Sequence, residues 1–218
     1  MMFEDISRLA AEDGLRVTGW FHPTADHGTP EGTQTLILLG YGGADLWAAF
    51  SGSAEYADGT AHPLDRWSTR IITALADKVG GVPLFPFGGP PYQPFIRWMY
   101  AGEPLHQSRL GMAIHPERGL WSGWRGAIAL TQDMPLPPVP ATNHPCEGCA
   151  APCLTACPVG AFGDAGYDAA LCRAHLNSGA GGACVSGGCL ARRACPVGQE
   201  YAQTAEQGAF HLEAFRRA

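Results

Sequence analysis

All eight cysteines of this 218-residue chain lie between Cys146 and Cys195, and the first 145 residues contain none. The densest stretch, CEGCAAPCLTACP, starts at Cys146 and ends at Pro158, with two, three and three residues between successive cysteines. Cys-Pro occurs again at Cys195, in a second copy of the tetrapeptide CPVG. So many soft ligands in one short stretch predict a metal-bearing segment.

The remaining composition narrows the class of protein. Apolar residues make up 46% and charged residues 16% of the chain, which suits a soluble protein of one large or two small domains. A net charge of −6 argues against nucleic acid as a partner, and no apolar run reaches the roughly 18–20 residues that span a membrane. The N-terminal residues lack the features of a signal peptide. We therefore expect a cytoplasmic protein, where clustered cysteines more often bind metal than form disulfides.

The cysteine spacing favours two iron–sulfur clusters over zinc, a single cluster or disulfides. Structural zinc prefers two Cys-x2-Cys pairs held apart, whereas this chain has a compact run that ends in Cys-Pro. The run resembles that of bacterial ferredoxins, C-x2-C-x2-C-x3-C-P, with one residue inserted before its third cysteine. The second set of cysteines is looser and includes the glycine-rich stretch SGAGGACVSGGC, whose backbone amides can approach inorganic sulfide.

The ferredoxin resemblance implies how the cysteines divide, because the fourth cysteine of such a run binds the other cluster. One 4Fe–4S cluster then takes Cys146, Cys149, Cys153 and Cys195, and the other takes Cys157, Cys172, Cys184 and Cys189. This part of the chain also resembles the ferredoxin domain of epoxyqueuosine reductases and reductive dehalogenases. Those domains carry an isolated cysteine between two cluster motifs, as Cys172 does here. We expect a small bacterial-ferredoxin-like iron–sulfur domain at residues 136–218.

The patterns before the cysteines predict an α+β domain over residues 1–135. Thr35–Leu39, TLILL, is a continuous apolar run typical of a buried central strand. Pro63–Val79 has apolar residues at helical spacing. Leu110–His115 and Leu120–Thr131 alternate like strands, and the turn between them predicts a hairpin. A proline-rich linker follows before the cysteine segment.

Residues 35–138 resemble cobalamin-processing proteins of the cblC type, most informatively from Leu110 to Pro138, and Tyr92-Gln93 is part of the resemblance. The similarity lies in an Ile-His-Pro turn, a tryptophan segment, an Arg-Gly pair, an apolar strand and a proline-rich exit. It implies a flavin-reductase/nitroreductase-like α/β sheet domain that binds a corrinoid. Epoxyqueuosine reductases and reductive dehalogenases also combine a corrinoid domain with two clusters. On this resemblance the candidate cofactor-binding residues are Tyr92, Gln93, Ile114, Trp121 and Arg125.

Four of these five residues also have a purely structural interpretation. The planar fork of Arg125 suits a carboxylate, amide carbonyl or phosphate, but a surface ion pair would explain it as well. Tyr92 and Gln93 offer hydrogen bonds to corrin amides or belong to a structural loop, and Trp121 is a candidate for core packing. His115 has the chemistry of an axial metal ligand, yet its place before a proline favours a turn-stabilising role.

These features predict an iron–sulfur oxidoreductase. Low-potential electrons from an electron-donor protein would pass through two 4Fe–4S clusters to cobalamin or another corrinoid, reducing it or removing its upper ligand. No catalytic residue is identifiable. One alternative is a ferredoxin-type electron carrier whose N-terminal domain binds a partner protein. The other is a flavin-dependent reductase that uses FMN.

Overall fold

The computed structural model describes residues 2–217 and divides the chain into two compact units. One unit consists of Met1–Pro104 and Gly123–Ala141, and we call it the sheet unit. The other consists of Leu105–Ser122 and Thr142–Ala218, and we call it the cysteine unit because it contains all eight cysteines. The fold class is α+β, as predicted, and the strands pair antiparallel.

A four-stranded sheet organises the first unit, in the spatial order Arg16–Phe21, Thr35–Gly42, Ser122–Leu130 and Val82–Leu84. The two outer strands pair antiparallel with their neighbours. The amide of Gln34 donates to the carbonyl of Leu130 at 2.8 Å, and Gly40 lies against Gly123 at the other end, so the central pair is antiparallel too. All eight residues of Thr35–Gly42 are buried, which confirms the predicted central strand.

Helices pack on this sheet, and the longest was predicted with the bounds that it has. Pro63 occupies the first turn of Pro63–Val79, where it needs no amide hydrogen, and Gly80 ends the helix with a φ of 71°. None of the helices in residues 2–217 is both long and apolar enough to cross a membrane. The helices of the unit are Phe3–Glu12, Trp47–Ser51, Ala54–Ala57, Pro63–Val79 and Phe95–Gly102, with a 3₁₀ turn at Ala25–His27.

The core of the sheet unit is made of close-packed apolar side chains. One cluster comprises Leu36, Leu38, Leu84, Phe95, Trp98, Ala127 and Ala129. Full burial of a side chain of leucine or phenylalanine size contributes about 1.5–3 kcal/mol. The one polar atom of Trp98 is satisfied, because its Nε1 donates to the His27 carbonyl at 2.7 Å. This unit therefore holds itself together by ordinary hydrophobic burial.

The cysteine unit consists of much shorter elements. Helices of four to eight residues gain few internal hydrogen bonds. Their stability therefore depends on contacts with the interior of the unit. Only the last helix is longer. The helices are Pro152–Thr155, Ala169–Leu176, Gly182–Gly187, Leu190–Arg193 and Ala205–Arg217, with 3₁₀ turns at Gly179–Gly181 and Gln199–Tyr201. The strand pairs are His106–Gln107 with Ala113–Ile114, and Phe162–Gly163 with Gly166–Tyr167.

The predicted hairpin between Leu110–His115 and Leu120–Thr131 is wrong. Ala113–Ile114 pairs instead with His106–Gln107, and Ser122–Leu130 is an inner strand of the sheet. The turn residues between the two segments were identified correctly, since a turn is a local feature. The strand partners were not, because pairing is decided by distant parts of the chain.

The first part of the predicted hairpin, within Leu105–Ser122, packs in the cysteine unit. Its backbone meets the second CPVG loop so closely that a Cβ on Gly119 would lie 2.0 Å from the carbonyl oxygen of Val197. Gly198 lies at the same contact, and both glycines have positive φ. A larger residue at either position would therefore clash with the facing backbone and would also strain its own backbone. The units therefore differ from the predicted domains 1–135 and 136–218, because Leu105–Ser122 joins the cysteines and residues 136–141 join the sheet.

Candidate metal centre

Three cysteines of the CEGCAAPCLTACP run and one distant cysteine are close neighbours. Burial raises the pKa of the Cys195 thiol, and the thiols of Cys153, Cys146 and Cys149 raise it further. Burial also raises the pKa of Cys153, as do Cys146 and Cys149. Such mutual effects require short separations, since charge interactions weaken with distance. We call these four the first thiol group.

The other four cysteines surround a cavity of about 530 Å³. Burial raises the pKa of Cys184, with smaller contributions from Cys172 and Cys157. Burial likewise raises the pKa of Cys189, with contributions from Cys184 and Cys172. We call these four the second thiol group. The two groups have the same membership as the pairing that the ferredoxin resemblance implies.

Backbone amides are directed at the sulfurs. The amide of Ala161 donates to Cys157 Sγ at 3.3 Å, and the amides of Ala191 and Arg192 hydrogen-bond to Cys189 and oppose the rise in its pKa. Hydrogen bonds of this kind stabilise a thiolate or a metal-bound sulfur, whereas burial alone favours the neutral thiol. The donors therefore match a site in which the sulfurs carry charge.

The loop of the first thiol group contains an unusual backbone conformation at Ala151, which has a φ of 55° although it is not glycine. A residue held there costs on the order of 1–3 kcal/mol. The same residue donates its amide to Cys149 Sγ at 3.4 Å, and the next residue, Pro152, starts the short helix that carries Cys153. The strained residue thus connects two cysteines of one group.

Four thiolates around one zinc ion would all lie about 2.3 Å from it. Within residues 2–217, no three His, Cys, Asp or Glu side chains converge in a way that would hold a single metal ion. A 4Fe–4S cluster makes a different demand, because each of its four thiolates binds a different iron. Four of the eight cysteines line one cavity of about 530 Å³.

The segment Leu105–Ser122 supplies apolar packing beside the sulfurs. Ile114, predicted to contact a corrinoid, is fully buried in this cluster of the cysteine unit. Sequence reasoning missed this placement because it assigned Ile114 to a hairpin of the first domain. The buried members of the cluster are Leu110, Ile114, Leu120, Cys153, Ala191 and Cys195.

Trp121, also predicted to contact a cofactor, belongs to the cysteine unit and is 2% exposed. The guanidinium of Arg192 lies 4.8 Å from the centre of its ring. Trp121 Nε1 and Gln203 Nε2 are buried without a hydrogen-bond partner within the described part of the chain. Both residues line a cavity of about 20 Å³, which is large enough for one water molecule that would accept these hydrogen bonds.

Tyr167 is a site residue that the sequence reasoning missed. Burial and a hydrogen bond with Cys172 raise the pKa of its phenol, so the hydroxyl stays protonated. Its ring stacks on Phe162 with 4.9 Å between ring centres, and both rings line the cavity of the second thiol group. The available signal was the stretch FGDAGY, in which an aromatic residue stands on each side of a glycine-containing turn.

Arg125 lies in the sheet unit and contacts side chains of the helix Pro63–Val79. Its guanidinium forms an ion pair with Asp65 and donates to Ser68 Oγ at 2.9 Å. It also lies 5.4 Å from the centre of the Phe87 ring. The guanidinium of Arg125, which was predicted to bind a cofactor, therefore binds a carboxylate of this chain.

The remaining predicted cofactor-binding residues, Tyr92 and Gln93, precede the helix Phe95–Gly102 in the sheet unit. Tyr92 is 66% exposed, and Ile96 and Tyr100 are 72% and 38% exposed. Ile96 and Tyr100 are four residues apart within this helix and form an exposed apolar stripe on one face. The five predicted residues are thus divided between the units, with Arg125, Tyr92 and Gln93 in one and the other two in the cysteine unit.

The structure confirms that His115 stabilises a turn. Its Nδ1 accepts hydrogen bonds from the amides of Glu117 and Arg118, both at 3.1 Å. A backbone bridge between His115 and Gly119 closes the same turn. The imidazole thus replaces the backbone acceptors that a tight turn leaves missing.

Comparison of the chain with protein-family models, with curated proteins and with solved structures returned no match.

Proposed function

We propose that this chain is an iron–sulfur electron-transfer oxidoreductase with two 4Fe–4S clusters, one on each thiol group. The observation that carries the proposal is the division of eight neighbouring cysteines into two sets of four, one of which surrounds a cavity of about 530 Å³. The amides that donate to the sulfurs support it. The reducing cytoplasm, where thiols stay available as ligands, is the compartment that suits this chemistry.

A bound cluster would supply one-electron transfer at a potential set by its surroundings. The residues of this chain hold the sulfurs, donate hydrogen bonds to them and limit their contact with water. Cys153, Cys184 and Cys195 are each less than 9% exposed. Exclusion of water protects cluster sulfide and keeps the local dielectric low, so that nearby charges act strongly.

We further propose that a corrinoid is the electron acceptor and binds at the sheet unit, in a flavin-reductase-like fold. The support is the resemblance of residues 110–138 to cobalamin-processing proteins, together with an antiparallel sheet in the unit that would carry the site. Arg125 would have to exchange or share Asp65 to bind the corrinoid. Reduction of the corrinoid, or removal of its upper ligand, is the reaction that this arrangement would serve.

Metal analysis of anaerobically purified protein tests the cluster proposal. We expect iron and acid-labile sulfide in equal amounts, at about eight of each per chain for two 4Fe–4S clusters. An electron paramagnetic resonance signal should appear on reduction with dithionite. Zinc without sulfide would overturn the assignment.

Titration of the same protein with hydroxocobalamin and with FMN tests the acceptor. We expect saturable changes in the visible corrin bands and none with FMN. Arg125→Ala should weaken corrinoid binding, whereas Arg66→Ala, which removes another ion-paired arginine of the same helix-and-sheet unit, should not. If neither ligand binds, both the corrinoid and the flavin hypotheses fail, and the cluster proposal is unaffected.

The exposed stripe favours a second candidate, in which the sheet unit binds a partner protein. Two large apolar side chains on one face of a helix, with the exposed Tyr92 shortly before it, are costly in water unless they are covered. Ile96→Glu should then abolish association with an electron-donor protein, measured by surface plasmon resonance with reduced flavodoxin as the probe. Val82→Glu changes an exposed residue of another element and serves as the control. Equal binding by both variants would exclude this stripe as the docking site.

A further inference from the structure

Arg192 is a cation that the cysteine unit holds in one position. Its Nε donates to the Leu120 carbonyl at 2.8 Å, its Nη1 donates to Gln203 Oε1 at 3.1 Å, and its guanidinium stacks over Trp121. These anchors come from two segments that are distant in sequence. A planar guanidinium fixed by such contacts loses most of its rotamer freedom, so its charge has a defined place.

That place adjoins the second thiol group. Arg192 belongs to the helix that starts directly after Cys189, and its backbone amide hydrogen-bonds to that cysteine. Arg192 is also among the residues that line the same cavity as the four thiols. Among the described residues that line this cavity there is no aspartate or glutamate, while Arg109 and His175 line it as well. The charged side chains of this largely apolar wall are therefore arginines.

Four thiolates leave a bound cluster with net negative charge, and reduction adds one more negative charge. A fixed cation nearby stabilises the reduced form more than the oxidised form. The effect is larger in a partly buried site than in water, because the effective dielectric constant is lower. On the basis of the proposed function, we propose that Arg192 raises the reduction potential of the cluster held by the second thiol group.

Redox titration of the full-length, anaerobically prepared protein, followed by electron paramagnetic resonance, tests this inference. Arg192→Gln should lower one midpoint potential and leave the other unchanged. The expected shift is roughly tenfold in the reduction equilibrium, or about 59 mV for one electron. Arg192→Lys keeps the charge and should restore most of the potential. Arg193→Gln is the matched control. The neighbouring Arg193 donates to the Gly187 carbonyl at 2.7 Å, and it is not one of the described residues that line the cavity.

A second variant keeps the test decisive if Arg192→Gln fails to retain its cluster. Gln203→Glu leaves Arg192 in place and puts a carboxylate at the position of an existing hydrogen bond. It should also lower the same potential, because it offsets the guanidinium charge. Two unchanged midpoint potentials in a variant with full iron content would overturn the role of Arg192 and leave the cluster proposal standing. Wild-type protein without iron and sulfide would instead refute the proposed function itself.

Discussion

In the sheet unit, apolar side chains pack against one another, whereas in the cysteine unit four thiols line a cavity. The strand Thr35–Gly42 is buried along its whole length, and Trp67 and Trp98 are at most 2% exposed. The interior of the cysteine unit contains a cavity of about 530 Å³ and buried thiols. Its secondary structure is mostly single turns.

This difference indicates that the two units depend on different interactions. A well-packed core stabilises a fold without help from a ligand. The four thiols that line the cavity of the cysteine unit give no such packing among themselves, whereas metal ligation contributes folding free energy directly. On the proposed function, we expect the cysteine unit to fold together with its clusters, as many metal-binding domains do.

The largest expected effect follows from removing the metal. After treatment with an iron chelator and reductant, amides of Ala205–Arg217 and Gly182–Gly187 should lose their protection from hydrogen exchange. The amides of Pro63–Val79 should keep most of their protection, because that helix belongs to the sheet unit and its apolar face is buried within that unit. Hydrogen exchange with mass spectrometry measures both. Equal loss of protection in the two units, or no loss in either, would contradict the conclusion that only the cysteine unit depends on the metal.

The next effect separates the two thiol groups. Cys184→Ala should remove one cluster and about half of the iron, because a cluster has one cysteine ligand for each iron. Cys195→Ala should remove the other cluster. The two variants should therefore lose different electron paramagnetic resonance signals, measured on anaerobic protein of known iron content. Loss of the same signal in both would show that the cysteines divide in another way.

A core substitution in the sheet unit should lower the stability of that unit and leave the iron content unchanged. Leu38 is fully buried, so Leu38→Ala should cost about 2–5 kcal/mol through lost burial and a new cavity. Chemical denaturation followed by tryptophan fluorescence measures the loss. The iron content per folded chain should not change. A parallel fall in iron would mean that the two units are not independent in stability.

The smallest effect concerns an ion pair at the surface of the sheet unit. Arg70 holds the pKa of Glu55 down from 4.5 to about 2, and their side chains approach to 2.5 Å. Since the folded-state pKa is the lower one, the stabilisation is present above about pH 4.5 and disappears as the pH falls through about 2. Glu55→Gln should therefore cost at most about 1 kcal/mol at pH 7. Denaturation at pH 7, 5 and 3 should show the difference narrowing, and a constant difference would contradict it.

Local patterns predicted the parts of the fold that local physics decides. The TLILL strand and the helix that starts at Pro63 were identified because burial and capping are visible in their own residues. The corrinoid resemblance treated Ile114 and Arg125 as one site, yet they lie in different units. Nothing in the residues between them signals that the chain leaves one unit for the other.

In the candidate site, too, local sequence features were predictable and contacts between distant residues were not. The spacing of the cysteines predicts the kind of cofactor, since ligand number and spacing are properties of the sequence itself. The setting of Arg192 was not predictable, because its contact with Leu120 joins residues 72 apart in the sequence. Tyr167 was missed for a related reason, since its bond to Cys172 depends on how a short hairpin and the following helix meet.

The placement of Leu105–Ser122 has a practical consequence for dissecting this protein. The chain passes between its two units three times, so no single cut separates them. A fragment that ends at residue 135 would carry Leu110, Ile114 and Leu120 without the cysteines that they pack against. A fragment that begins at residue 136 would lack that apolar wall and the Gly119 contact with the Val197 carbonyl. The cysteine unit is thus interleaved in sequence with the sheet unit, so it cannot be moved into another protein as one continuous stretch by simple gene fusion.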